Sequence, residues 1–251
     1  MGILRENVKR GRILPMKKQE FLEGVRDGLP ICLGYFSVSM AFGLTAVLSG
    51  IPVWAAVLIS LTNLTSAGQF AGMNLIAASG ALVEIGLTTL IINIRYFLMS
   101  ISVSQKVERK MTMKERLAVS FGITDEIFAV SMQRDHELTA AYMAGLILTP
   151  VIGWTGGTLV GAVATSLMPP VLSNAFGIAL YGMFIAIIIP PAKKSRPILN
   201  VILIAVAISI ILHVTPFINK LSGGWMIIIS TVLASAIGAF LYPQKEGGSD
   251  E

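Results

Sequence analysis

The sequence has few charged residues, one cysteine and two histidines, and each of these shortages excludes a class of protein. Charged residues make up 13% of the 251 residues, against roughly 25% in an ordinary soluble domain. Hydrophobic residues make up 54%, which is more apolar surface than a soluble fold of this size can bury. The lone cysteine, Cys32, excludes an intrachain disulfide and a thiolate metal cluster. A zinc pattern that begins at His136 is incomplete because Ala140 stands where the second histidine belongs.

Two long tracts, 29–80 and 138–192, contain no charged side chain. A helix crosses the roughly 30 Å hydrocarbon layer with about 20 residues, so each tract holds about two crossings. The sequence therefore predicts an all-α polytopic membrane protein with about six or seven transmembrane helices. The predicted organisation is a cytoplasmic N-terminal segment (1–28), one transmembrane domain (29–242) and a polar C-terminal tail (243–251). The apolar segments are Leu29–Ser49, Val53–Ser79, Ala81–Val103, Thr139–Thr165, Leu167–Ile189, Pro197–Thr215 and Gly223–Leu241, with a weaker one at Leu117–Met132.

Most of the basic residues lie between these apolar segments, in three clusters at 5–26, 106–116 and 193–196. Such clusters are typical of cytoplasmic loops, so the N-terminus is predicted to be cytoplasmic. Three full crossings before the second cluster would place that cluster outside, against the charge rule. We therefore predict that Val53–Ser79 does not cross, because its polar centre, Asn63–Gln69, suits a broken or re-entrant helix that lines a cavity. The alternative is seven ordinary helices with a weak charge signal.

Three glycines recur at four-residue intervals on one helix face: Gly153, Gly157 and Gly161. Small residues at this spacing let two helix backbones approach closely in lipid. The face can serve packing inside the chain or an interface with a partner protein. We favour internal packing.

Glu84 and Arg95 are ionisable residues within one apolar segment. Such a residue costs roughly 2.5–3.5 kcal/mol at the centre of a membrane helix, so its presence suggests a function. The Arg95 guanidinium can bind a substrate carboxylate or pair with a carboxylate on another helix. Glu84 is a candidate for proton or ion coupling. Their separation of eleven residues puts both within roughly 20° around the helix, which predicts that they face the same neighbour.

Asp125 and Glu126 are adjacent acids in a short apolar segment. They can compensate an ammonium group or carry a coupled proton. The alternative is an acidic pair in the first turn of a helix capped by Thr124, where the helix dipole favours negative charge.

Neutral amides are also costly in hydrocarbon, and each amide offers both hydrogen-bond donors and an acceptor. Asn93 points roughly 200° away from Arg95, so these two side chains cannot share one face of the helix. The amides in the apolar segments that we consider as binding groups are Asn63, Gln69 and Asn93.

Motifs of enzymes and of cofactor sites do not occur in the sequence. It has no Gly-x-Ser-x-Gly elbow, no P-loop and no dinucleotide fingerprint. We therefore expect neither an enzyme nor a bound cofactor or metal. We also expect no nucleic-acid partner, because the basic residues lie in loops between membrane segments.

A series of five short stretches carries a family resemblance. The stretches are Gly24–Pro30, Ala41–Gly43, Ser66–Phe70, Asn93–Met99 and Thr124–Ala129. In order and spacing, over roughly residues 20–165, they resemble the AzlC family, the large subunit of bacterial branched-chain amino acid exporters. The resemblance implies export of leucine, isoleucine and valine across the bacterial cytoplasmic membrane, driven by an ion gradient. It also implies a small AzlD-like membrane subunit as partner.

The resemblance further implies roles for individual polar residues. Arg95 is expected to hold the substrate carboxylate, and Asp125 or Glu126 to compensate the amino group or a coupled proton. Phe70 and Phe128 are expected to lie against the apolar side chain of the substrate. Tyr96 departs from the family pattern, in which histidine is expected, and this leaves the coupling ion open. Gln69 and Asn93 are expected to supply neutral hydrogen bonds.

Two other functions are compatible with the same residues. A passive channel for a small polar solute also needs a polar path, but its flux does not saturate and ignores an imposed proton gradient. A non-transporting assembly subunit would use the glycine face for its partner and would show no flux.

Overall fold

A computed structural model describes residues 16–165, 185, 188–216 and 221–243. Nine helices are defined in this part of the chain, and residues 188–194 are also helical. The predicted all-α fold is confirmed. The predicted segment Leu167–Ile189 lies almost entirely outside the described residues. The nine helices are α1 (Met16–Leu48), α2 (Val53–Thr62), α3 (Ser66–Ala77), α4 (Leu82–Lys106), α5 (Met113–Phe121), α6 (Asp125–Gln133), α7 (Ala140–Ala164), α8 (Arg196–Val214) and α9 (Gly223–Leu241).

Five of the described helices are long and apolar enough to cross a membrane, namely α1, α4, α7, α8 and α9. Each has at least 19 residues, and about 20 are needed for the hydrocarbon layer. The chain is therefore a polytopic helical membrane protein, as its hydropathy predicts.

The first helix is longer than its apolar segment. It begins at Met16 rather than at Leu29, so the polar residues before the apolar segment are also helical. Gly24 lets this stretch pack closely against α7, since a Cβ atom there would lie 2.1 Å from the Tyr142 carbonyl oxygen. Nearby, Thr139 donates a hydrogen bond to the Glu20 carboxylate at 2.9 Å. Tertiary contacts thus extend the helix beyond the point where hydropathy ends it.

Two compact units make up the chain, and α1, α4 and α7 contribute residues to both. Unit 1 contains the residues up to Ser39 together with Arg95–Gly157, and unit 2 contains Met40–Ile94 and the residues from Thr158 onward. The core of unit 1 includes Val103, Ile127, Leu138, Tyr142, Met143 and Leu146. The core of unit 2 includes Phe42, Ala46, Ile51, Ala56, Phe70 and Met73.

The predicted break in Val53–Ser79 is confirmed. Helix α2 ends at Thr62, Asn63 and Thr65 have extended backbone angles, and α3 begins at Ser66. At 1.5 Å per residue the two helices are about 15 Å and 18 Å long, so neither crosses a layer of roughly 30 Å. The weaker segment is divided in the same way into α5 and α6, which have nine residues each.

The spaced glycines of α7 lie against α1. In unit 1, a Cβ atom on Gly153 would lie 2.4 Å from the Cys32 carbonyl oxygen. In unit 2, a Cβ atom on Gly161 would lie 2.0 Å from the Met40 carbonyl oxygen. The absence of side chains lets the two helix backbones meet directly, which is the internal packing that the spacing favours.

Gly157→Ala is expected to destabilise the protein, whereas Gly156→Ala is not. A Cβ atom on Gly157 would lie 2.3 Å from the Phe36 carbonyl oxygen and 2.1 Å from the Ser39 hydroxyl. Overpacking of this kind costs about 1–3 kcal/mol. Gly156 has nothing within 4 Å of the same position, and alanine favours a helix over glycine. The unfolding temperatures of the two variants are measured in detergent. Equal temperatures would show that the close contact of Gly157 with α1 does not contribute to stability.

Candidate functional site

The break between α2 and α3 exposes the N-terminus of a helix within an apolar segment. The first N–H groups of a helix have no intrahelical partner and carry a partial positive charge. Thr65 occupies the N-cap position of α3, but its side chain makes no capping hydrogen bond. This helix end is therefore suited to accept a negatively charged group.

Two buried oxygen atoms without hydrogen-bond partners lie beside this helix end. They are Thr65 Oγ1 and Asn93 Oδ1. A Cβ atom on Gly68 would lie 2.5 Å from Thr65 Oγ1 and 2.7 Å from Asn93 Oδ1. Only glycine at this position avoids a clash with these two oxygen atoms. A buried polar atom without a partner costs about 1–3 kcal/mol, which a ligand that bonds to it can recover. We call Thr65, Gly68 and Asn93 the α3 site.

Gln69 belongs to a buried hydrogen-bond network next in sequence to the α3 site. Its Nε2 donates to Ser60 Oγ at 2.6 Å, and Ser60 Oγ lies 2.7 Å from Thr158 Oγ1. All three side chains are at most 1% exposed. The network joins α2, α3 and α7 within unit 2 and holds the start of α3 in place. Sequence reasoning identified Gln69 but missed both hydroxyl groups, since serine and threonine are common in membrane helices.

Asn63 and Phe70, two other predicted binding residues, lie on either side of the α3 site in sequence. Asn63 is the C-cap residue of α2. Phe70 is 3% exposed and packs edge to face against Phe42, with 5.1 Å between the ring centroids. The Phe70 ring is thus part of the unit 2 core.

A cluster of charged groups lies in unit 1, where α4 meets the start of α6. Arg95 Nη1 is 2.8 Å from Asp125 Oδ2, and the two side chains are 41% and 45% exposed. Arg95 Nη2 donates to the Tyr96 hydroxyl at 3.2 Å. The guanidinium therefore has an ion-pair partner on another helix, one of the two roles that its position allows. Asn93, two residues earlier, contacts α3 instead, as their roughly 200° separation predicts.

Glu126 and Thr124 are tied to α1 by Tyr35. The Tyr35 hydroxyl donates to the Glu126 carboxylate and lies 2.7 Å from Thr124 Oγ1. Thr124 also caps α6, because its Oγ1 accepts from the Ile127 N–H at 3.4 Å. The acidic pair thus occupies the first turn of a capped helix and is also bonded to side chains of other helices. Tyr35 was not singled out by sequence reasoning, because a single tyrosine in an apolar helix is not distinctive.

Asp125 lies in α6, which is too short to cross the membrane. Burial raises the pKa of its carboxyl group, the nearby Arg95 lowers it and the nearby Glu126 raises it. The result is a pKa above the ordinary aspartate value, so Asp125 takes up a proton more readily than a solvated aspartate.

Glu84 belongs to unit 2 and contacts the start of α9. It is 5% exposed, and its carboxylate accepts from the Ser222 hydroxyl and, at 3.0 Å, from the Gly224 N–H at the start of α9. The prediction that Glu84 and Arg95 face the same neighbour is wrong, since Glu84 contacts α9 and Arg95 contacts α6. Eleven residues span about 16 Å along a helix, so one helix face meets different elements at the two positions. A coupling role for Glu84 stays a prediction.

Residues 30–168 match the family model described as AzlC protein. The chain belongs to the AzlC family. This AzlC-family chain is 26% identical over 183 residues to the inner membrane protein YgaZ of Escherichia coli strain K12. The aligned region covers 70% of this chain and 75% of YgaZ. The chain is 28% identical over 179 residues to an uncharacterized membrane protein of Archaeoglobus fulgidus, with 70% and 78% covered. No solved structure matches the chain significantly.

The part of the chain that matches the AzlC family contains the features described above. It includes the broken helix α2–α3, the α3 site and the charged cluster at the start of α6. Helices α8 and α9 lie beyond it. Membership of this family of membrane proteins is consistent with a role in membrane transport.

Proposed function

We propose that this chain is a secondary transporter that exports branched-chain amino acids across the bacterial cytoplasmic membrane, together with a small AzlD-like membrane subunit. We place the N-terminus in the cytoplasm, on the side of the basic loops. The AzlC membership and the polytopic fold support a transport function. In this proposal the protein moves its substrate without chemical change and is not an enzyme.

The α3 site is the observation that carries the proposal. An amino acid is a zwitterion, and the site offers groups for both of its charges. The carboxylate accepts hydrogen bonds from the free N–H groups of α3 and from the Thr65 hydroxyl. The ammonium group donates to Asn93 Oδ1, which has no partner in the described structure. Broken helices in transporters present their positive ends to anionic substrate groups in this way.

We assign the Arg95–Asp125 pair to ion coupling. The Arg95 Nη1 atom already has a carboxylate partner at 2.8 Å, so binding a substrate carboxylate there would require the pair to separate. The raised pKa of Asp125 instead favours a pair that takes up a coupled proton. Uptake of a proton by Asp125 removes its charge, releases Arg95 and gives the cluster two states.

Transport by the purified chain in proteoliposomes, alone and with the small subunit, tests this function. We expect uptake of labelled leucine that saturates with concentration, is competed by isoleucine and valine, and responds to an imposed proton gradient. Flux that neither saturates nor responds to the gradient would indicate a passive channel. Complete absence of flux with the small subunit present would favour the assembly-subunit alternative.

A further inference from the structure

A cavity of about 430 Å³ lies within unit 1, among α1, the end of α6 and the start of α7. Its lining includes Arg26, Asp27, Val130, Gln133, Arg134 and Tyr142. We call it the Arg134 cavity. It uses none of the residues of the α3 site or of the charged cluster at the start of α6. Arg26 and Asp27 belong to the family stretch Gly24–Pro30, to which the transport proposal assigns no role.

Arg134 is held firmly but has an unmet hydrogen-bond donor. Its Nη2 lies 3.3 Å from Glu23 Oε2, and its guanidinium carbon lies 3.8 Å from the centre of the Tyr142 ring. The side chain is 15% exposed. Its Nη1 atom is buried and has no hydrogen-bond partner in the described structure. A fixed guanidinium with a free N–H group is suited to bind a carboxylate.

A carboxylate on the cavity lining supplies the opposite charge. Asp27 Oδ2 accepts a hydrogen bond from the Tyr142 hydroxyl at 2.9 Å, and Tyr142 also stacks against Arg134. The buried Tyr142 side chain thus contacts both the Asp27 carboxylate and the Arg134 guanidinium at this cavity. Val130 adds an apolar surface to the lining.

The charges around the cavity favour a zwitterion over an anion. Arg26 and Arg134 are balanced by Asp27 and by Glu23, the ion-pair partner of Arg134. A phosphate group would therefore meet two carboxylates as well as two guanidinium groups. A free amino acid carries one charge of each sign and an aliphatic side chain, which matches the polar and apolar parts of the lining.

We propose that the Arg134 cavity is a second amino acid site, through which an exported amino acid is loaded. Its carboxylate binds Arg134, its ammonium group binds Asp27, and its aliphatic side chain lies against Val130. The choice of amino acid rests on the proposed function. The site lies beside the basic N-terminal part of α1, which we assign to the cytoplasmic side from the charge distribution of the sequence.

Protection of an introduced cysteine tests the proposal. The reporter is Gln133→Cys in the full chain carrying Cys32→Ala, so that the only thiol lies on the cavity lining. Leucine at about ten times its Kd is expected to slow maleimide labelling of this thiol about tenfold, because only about a tenth of the sites then remain empty. Leucine methyl ester, which lacks the carboxylate, and 4-methylpentanoate, which lacks the ammonium group, should protect far less. The matched reporter is Lys110→Cys in an exposed loop, whose labelling leucine should leave unchanged.

Variants of Arg134 separate binding from folding. Arg134→Gln should abolish the protection, and Arg134→Lys, which keeps the charge but loses the planar fork, should raise the KM for leucine transport about tenfold with little change in the maximal rate. Lys110→Gln removes the same charge as Arg134→Gln and is its control, with protection and KM both unchanged.

Three outcomes would overturn the inference. The first is equal protection by leucine and its methyl ester, and the second is protection by inorganic phosphate instead of leucine. The third is the absence of any slowing of Gln133→Cys labelling by leucine, and if the wild type still transports leucine this result leaves the proposed function intact. Conversely, protection by leucine without transport would sustain the binding site while the transport proposal fails.

Discussion

Gly68→Ala is expected to reduce leucine export at least about tenfold while the chain still folds and inserts. The added Cβ atom would lie 2.5 Å from Thr65 Oγ1 and 2.7 Å from Asn93 Oδ1. Both are atoms near the ends of side chains, so they can move aside at a modest cost in stability. In moving they leave the positions in which they would bond the substrate, and a charge-assisted hydrogen bond contributes about 1.5–3 kcal/mol. Transport should therefore suffer much more than stability.

Gly72→Ala is the matched control for Gly68→Ala. Gly72 lies one turn further along α3 and is buried as well, but a Cβ atom there would meet only Thr89 Oγ1, at an ordinary contact distance of 3.5 Å. Initial rates of leucine uptake in proteoliposomes, measured at equal amounts of protein, compare the two variants. Equal rates would remove the α3 site from the transport mechanism. A thermal unfolding curve for each variant shows whether a loss of rate reflects a loss of fold.

Asp125→Asn is expected to abolish gradient-driven leucine transport while largely preserving leucine exchange. Asparagine cannot take up a proton, so the variant should exchange substrate at close to the wild-type rate but show no leucine flux in response to an imposed proton gradient. Arg95→Gln should lose both activities, since it leaves Asp125 without its partner. Thermal unfolding of both variants in detergent shows whether a loss of activity reflects a loss of fold.

The prediction is tested by measuring proton-driven net flux of leucine and leucine exchange for each variant. Asp135→Asn is the control, because Asp135 is an exposed acid near the end of α6 and its replacement should change neither activity. If Asp125→Asn responds to a proton gradient as the wild type does, the coupled proton is carried elsewhere. Glu84 would then be the next residue to test, since it is a buried carboxylate bonded to the start of another helix.

Hydropathy and local patterns were sufficient for the main features of the fold. Charge-free tracts of more than 50 residues can be accommodated only in a bilayer. The polar centre of Val53–Ser79 predicted the break between α2 and α3, because a polar stretch within an apolar segment disfavours a continuous membrane helix. Thr124 before two acids allowed a capped helix start as one of two interpretations, and α6 has this cap. Each of these features depends on residues close together in the chain.

The partners of the polar side chains were decided by tertiary structure. The sequence left open whether Arg95 binds substrate or pairs with another helix, and the packing of α4 against α6 brings Asp125 to within 2.8 Å of it. It pointed to Gln69 but not to Ser60 or Thr158, which α2 and α7 supply. It also left open whether the residues just before Leu29 are helical, and in the structure they belong to α1, where Glu20 accepts a hydrogen bond from Thr139 before α7.

The reason is the same in each case. Hydrophobicity and helix periodicity are properties of a continuous stretch of chain, so the sequence by itself determined that this protein is helical, lies in a membrane and interrupts one apolar segment. A hydrogen bond or ion pair between residues such as Tyr35 and Glu126 joins positions that are 91 residues apart. Only the packing of whole helices decides which of these side chains meet, and therefore where the chain holds its polar groups.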